Sequence, residues 1–177
     1  MWFALQPVDL GFTRTSPFQL VNEAVVYAPP ERVFDLFAGE RIDEWLAELR
    51  SVEWTSAAPH GVGSTRTLVM RDLAAKERFL AWDRGARIAF AIEALTLPFA
   101  RRMLEDMQLE RLGPRHTHVR YTVHYEPTVA TRLLHPVVRR ALKPAFGRAL
   151  RALASIATGP ARASESASPP VRATIEA

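Results

Sequence analysis

Glu77 stands two residues before Phe79 in the run Lys76 to Trp82, so on a strand both side chains leave from one face. On a face turned toward an apolar cavity a carboxylate loses hydration and its pKa rises. It then becomes an acid, a base or the partner of an arginine. A register slip of one residue leaves it merely exposed. Tyr121 and Tyr125 raise a related question. From His118 to Glu126, the residues Val119, Tyr121, Val123 and Tyr125 alternate with His118, Arg120, Thr122 and His124. The first set is the inner one, and it carries two hydroxyls into an apolar interior where each needs a hydrogen-bond partner. These are either satisfied core tyrosines or the lining of a ligand pocket, and in the second case they join Glu77 as candidates for proton transfer.

Other constellations reduce to structure. The run His60-Gly61-Val62-Gly63-Ser64-Thr65 has the glycines of a phosphate loop, but no lysine comes after them. The next residues, Thr65 to Val69, have the pattern of a strand, whereas phosphate is met by a helix N-terminus. The glycines are therefore read as a turn between strands at Val52 to Thr55 and Ser64 to Met70. His116, His118 and His124 share a polar outer face with no acidic residue close in sequence, so they are read as solvated, with no metal site.

The chain has 177 residues, 48% of them hydrophobic, which is enough for one buried core. No cysteine is present, which excludes disulfides, thiolate zinc sites and a cysteine nucleophile. The apolar start MWFALQPVDLGF lacks a basic lead and breaks at Gln6, Pro7 and Asp9, unlike a signal peptide. No stretch approaches the ~18 apolar residues of a membrane span. A soluble, cytoplasmic chain without a cofactor is expected. The net charge of +4 is concentrated: Arg132, Arg139, Arg140, Lys143, Arg148 and Arg151 lie between Pro127 and Ala157 with no acid among them. Aromatics for base stacking are not interleaved with these cations, so no nucleic-acid partner is expected.

The elements that must position the chemistry are legible from patterning. Residues 1–20 form an N-terminal extension of scattered aromatics that packs on the domain or on a partner; residues 21–157 form the domain; residues 158–177, rich in Ser, Ala and Pro, form a disordered tail. A strand from Val21 to Tyr27 leads to Pro29-Pro30, where a helix starts. Gly39 stops it, and Ile42, Trp45, Leu46 and Leu49 mark a second short helix. Six strands come next, over Val52 to Thr55, Ser64 to Met70, Lys76 to Trp82, Arg87 to Leu95, about Met103 to Leu112, and Thr117 to Tyr125. The stretch Leu97 to Leu104 fits a strand or a helical turn. From Thr128 to Ala157 the period becomes helical, with Pro136 and Pro144 kinking or delaying the helix. Short turns force antiparallel neighbours, and the fold class is α+β: a seven-stranded curved antiparallel sheet wrapped around a long C-terminal helix. Small residues such as Ala141, Ala145 and Ala149 leave space between the two.

Taken together, APPERVFDLFAGERIDEWLAELRSVEW, GVGSTRTL, FLAWDRGARIAF and THVRYTVHYEP, in that order before the helix, resemble the START-like superfamily. This is the SRPBCC or helix-grip group of polyketide cyclase/dehydrase and lipid-transport proteins. The resemblance implies that the Phe79 face points inward and that the glycine loop lies near one end of the cavity. It also implies that the partner is a hydrophobic small molecule or lipid. The expected lining is Phe34, Trp45, Trp54, Phe79, Phe90, Ile92, Tyr121, Val123, Tyr125, Leu134, Val138, Leu142 and Phe146, with Glu77, Tyr121 and Tyr125 as catalytic candidates. Binding or transport of that ligand is the expected function. The alternatives are an aromatase/cyclase or dehydratase acting in the same cavity, and a lipid carrier or interaction module touching a membrane through the basic helix.

Overall fold

The computed structural model of the chain describes residues 1–39, 41–133 and 135–159. In chain order the elements are β1 (Phe3–Ala4), α1 (Phe12–Thr15), β2 (Phe18–Val26), α2 (Pro30–Ala38), a 3-10 turn (Arg41–Glu44), β3 (Leu49–Trp54), β4 (Thr65–Met70), β5 (Ala74–Asp83), β6 (Arg87–Leu95), β7 (Ala100–Gly113), β8 (His116–Pro127), α3 (Val129–Leu133) and α4 (His135–Thr158). Strands β2 to β8 form one antiparallel sheet in the order β2-β8-β7-β6-β5-β4-β3, the expected seven strands. The tail from residue 160 onward lies outside the described residues.

The sheet bends because its ladders slip. In the β5–β6 ladder the extra residues are Glu93 on β6, opposite Lys76 and Glu77, and Leu80 on β5, between Phe79 and Ala81; β3–β4 carries one irregularity at an end and β7–β8 one at each end. Each extra residue sharpens the local twist. The concave face receives α4, whose Leu150, Leu153 and Ala157 are buried, while Arg140, Lys143, Arg148 and Arg151 stay exposed. Arg32 of α2 donates through Nη2 to the Gly159 carbonyl at 2.6 Å. That places a cation where the end of α4 concentrates partial negative charge.

Local chemistry explains most boundaries. Pro30 opens α2 because its missing N–H would have no partner in the first turn. The expected second short helix is a single 3-10 turn, because Leu49 is already recruited into β3 opposite Met70. The stretch Leu97 to Leu104 resolves as strand from Ala100 onward, its charged start held by Arg101 and Arg102 on Glu126 of β8. In the HGVGST turn, Gly63 has φ +88°, and it extends the β4–β5 ladder through Gly63 N–H to the Phe79 carbonyl at 2.8 Å.

The first residues are built into the sheet. β6 pairs with β7 only from Arg87 to Ala91, and beyond that the two strands part. β1 fills the split: Phe3 and Ala4 pair with Leu95 and Ala94, Leu5 N–H donates to Glu93, and Gln6 N–H donates to Arg101. Past this point Phe12 is buried under the Arg102 guanidinium, and Ser16 Oγ lies 2.9 Å from His124 Nδ1. The outer face of β6 to β8 is therefore covered, and Ala89, Ala91, Leu104, Thr122 and His124 are buried there. The reading of His124 as solvated is corrected: the arm excludes water from it. His116 is exposed and His118 partly so, the latter 3.7 Å from Glu110.

Candidate functional site

A cavity of about 270 Å³ lies between the concave face and α4, near the lower end of the ~300–1,000 Å³ typical of small-molecule pockets. Its walls come from Ala145, Phe146 and Ala149 of α4, from Phe90, Ile92, Met103 and Tyr121 of the sheet, and from Phe37, Ile42 and Trp45 of the segment after β2. Two alanines one helical turn apart leave the space that larger residues would fill. Trp45 is a fixed wall: its ring stacks on Phe37 at 5.4 Å and its Nε1–H donates to the Leu36 carbonyl at 2.9 Å. Exposed Asp72 and Arg148, with half-buried Glu48, line the outer part and mark the mouth.

Four buried polar side chains line the cavity, from strands β4, β5, β7 and β8. Arg66 on β4 pairs directly with Glu77 on β5, and Arg66 Nε–H donates to Glu77 Oε2 at 2.6 Å. Both are buried, at 2% and 5% exposure. Glu105 on β7 and Tyr121 on β8 are equally enclosed, and the Tyr121 hydroxyl donates to Glu105 Oε2. Phe79, Trp54 and Phe90 place their rings 4.9, 5.5 and 5.7 Å from the Arg66 guanidinium. The cation is thereby packed among quadrupoles, not water. Arg66 Nη1 is buried and makes no hydrogen bond among the described residues.

The electrostatics are set by burial. Glu105 is pushed up to about 8, first by loss of hydration and then by the nearby Glu77 charge, against the opposing pull of the Tyr121 hydroxyl and Arg66. Burial likewise raises Glu77, with Arg66 pulling the other way. Burial and the proximity of Glu105 hold the Tyr121 hydroxyl protonated well above its usual range. One ionised carboxylate balances the charge of a guanidinium. The direct ion pair makes Glu77 that carboxylate, and Glu105 retains a proton at neutral pH.

The expected lining residues and the catalytic candidate Glu77 fall into four groups. Trp45, Phe90, Ile92, Tyr121, Phe146 and Glu77 surround the cavity. Phe34 and Trp54 line a second recess of about 350 Å³ with Trp82, His60, Asp35 and Arg84. Phe79, Val123 and Tyr125 are core: Phe79 packs beside the Arg66 guanidinium, and Tyr125 packs on Phe18. Leu134 lies outside the described residues, as do the side chains of Val138 and Leu142. The glycine loop belongs to the second recess through His60, which stacks on Trp54 at 3.7 Å, and none of its residues lines the cavity. Arg66 and Glu105 were not singled out from sequence. Their signal is alternation: Arg66 shares a face with Leu68 and Met70, and Glu105 with Met103, Met107 and Leu109.

A family model described as "Polyketide cyclase / dehydrase and lipid transport" matches residues 17–158. The chain belongs to this family. Curated relatives include an uncharacterized protein of Mycobacterium tuberculosis, 28% identical over 112 residues, spanning 62% of this chain and 67% of that one. Among solved structures, a Thermus thermophilus protein superposes with a TM-score of 0.65 at 24% identity, covering 78% of this chain and 95% of its own. The Zhui aromatase/cyclase of Streptomyces sp. R1128 gives 0.64 at 17% identity, over 79% and 93%. A START superfamily protein of Mycobacterium smegmatis gives 0.60 at 15%, over 79% and 94%. At these identities the structures establish the shared helix-grip fold. No helix among the described residues is long and apolar enough to cross a membrane.

Proposed function

We propose that the protein binds an amphipathic small molecule in the cavity between sheet and α4, with an apolar body along Phe90, Ile92, Phe146 and Trp45 and an oxygen at Arg66. The observation that carries this reading is the buried Arg66 Nη1, a donor without a partner among the described residues, on an arginine in the wall of a mostly apolar enclosure. A buried N–H left unpaired costs about 1–3 kcal/mol, which a ligand oxygen recovers. Organic extraction of the purified protein followed by mass spectrometry tests it. An apolar or amphipathic compound is expected in the extract. An empty extract, together with no calorimetric heat from naphthalene-sized probes, would sink it.

A second reading is that the cavity also does chemistry, as an aromatase/cyclase or dehydratase of the family would. The Tyr121 and Glu105 pair favours it, since a carboxyl that gives up its proton near pH 8 is matched to proton transfer at physiological pH. Glu105→Gln should then abolish turnover of a poly-ketone substrate while leaving its binding intact. Equal turnover in the variant excludes Glu105 as the proton carrier.

A further inference from the structure

We infer that the cavity selects a neutral carbonyl-type oxygen, as in a ketone, ester or amide, over a carboxylate, and that Glu77 and Glu105 set this preference. The inference rests on the binding reading above and adds the charge of the head group. It stands on the make-up of the polar cluster: one guanidinium shares its enclosure with two carboxyl groups, and all three are buried. Glu77 Oε2 already takes Arg66 Nε–H at 2.6 Å, so the cation has its counter-charge. Aromatic rings of Phe79, Trp54 and Phe90 close around the guanidinium, leaving little water to screen a further charge.

Into the buried cluster a ligand carboxylate would bring a third acid against a single buried cation, Arg148 at the mouth being exposed and sharing that rim with Asp72 and Glu48. Burying an uncompensated charge costs far more than one hydrogen bond returns. A carbonyl oxygen accepts an Arg66 N–H and leaves the charge balance untouched. Glu105 acts as the reserve in this balance. Tyr121 donates to its Oε2, so the acid proton sits on the other oxygen. Above pH of about 8 that proton leaves, the cluster gains a net negative charge, and Glu105 competes with the ligand for Arg66.

The test uses two probes with one ring system, 2-acetylnaphthalene and 2-naphthoate, titrated calorimetrically into the intact protein at pH of about 7. The ketone is expected to bind about tenfold tighter or better, a difference of ~1.4 kcal/mol. Glu77→Gln leaves Arg66 without its direct counter-charge, and the order of the two probes should reverse. If the wild-type protein binds naphthoate as tightly as the ketone, the charge assignment is overturned while the binding cavity stands. If it binds neither ring, both fall. Should Glu77→Gln fail to fold by circular dichroism, Glu105→Gln decides: ketone affinity in the wild type should weaken as pH rises through about 8 and stay level in the variant. A pH dependence that persists in Glu105→Gln overturns the assignment.

Discussion

The Tyr121 hydroxyl on β8 donates to Glu105 Oε2 on β7 across a diagonal of the ladder, since Tyr121 itself lies opposite Met107 and Glu105 opposite Val123. Both side chains face the cavity, and the bond joins the two inward-pointing polar groups that the strands β7 and β8 contribute to it.

This pair makes stability depend on pH. Glu105 titrates at about 8 in the fold and in the ordinary carboxylate range when unfolded, so the native state holds an extra proton between those values. Its contribution is complete below the unfolded pKa and is lost as pH rises to about 8, with a slope of up to ~1.4 kcal/mol per pH unit. Urea denaturation across that range should show the decline, and Glu105→Gln should remove one proton's share of it.

The cavity should close on demand. Ala149→Leu adds three carbons to a helix face that lines the space, in a residue class that favours helix. Binding of a naphthalene probe should disappear, while stability to urea falls by no more than the ~1–3 kcal/mol that overpacking costs. Unchanged binding would show that ligand does not occupy the volume beside α4.

Two neighbouring glycines should respond differently. Gly63 has φ +88° with nothing near the methyl group that alanine would add, so Gly63→Ala meets only backbone strain. It should cost roughly 1–2 kcal/mol, seen as a lower thermal midpoint. Gly61 has the same open space and no positive φ, and Gly61→Ala should leave stability within ~0.5 kcal/mol of the wild type, with the midpoint nearly unmoved.

The arm should loosen in acid. Burial lowers the His124 pKa, against an opposing pull from Asp106, while Arg87 and Arg120 add to the depression. A histidine held neutral stabilises the fold above its unfolded pKa, and that contribution is lost as pH falls below about 6.5. Hydrogen-exchange protection factors, corrected for the intrinsic slowing of exchange in acid, should fall at residues 3–16 over this range, and His124→Gln should abolish the change.

Much of this architecture is legible in the sequence because it is periodic. The inward row Val119, Tyr121, Val123 and Tyr125 and the amphipathic face of α4 follow from spacing alone, as does the shared face of Glu77 and Phe79. Spacing does not say how far along a concave face a residue lies, and Phe34 and Trp54 consequently line the other recess. Nor does it supply register. Arg66 stands among Thr65 and Thr67 and reads as a surface cation until it is paired across the strands with Glu77. His124 reads as solvated because its cover comes from Ser16, more than a hundred residues earlier.

The placing of β1 and β2 has a consequence for the order of assembly. β2 is an edge strand whose strand partner among the described residues is β8, and β1 pairs with β6. In a chain emerging from a ribosome, residues 18–26 have no ladder to join until residues 116–127 have been synthesised. The meander from β4 to β8 closes through short-range turns, so the nascent protein assembles from its middle outward, and its first strands are among the last to be seated.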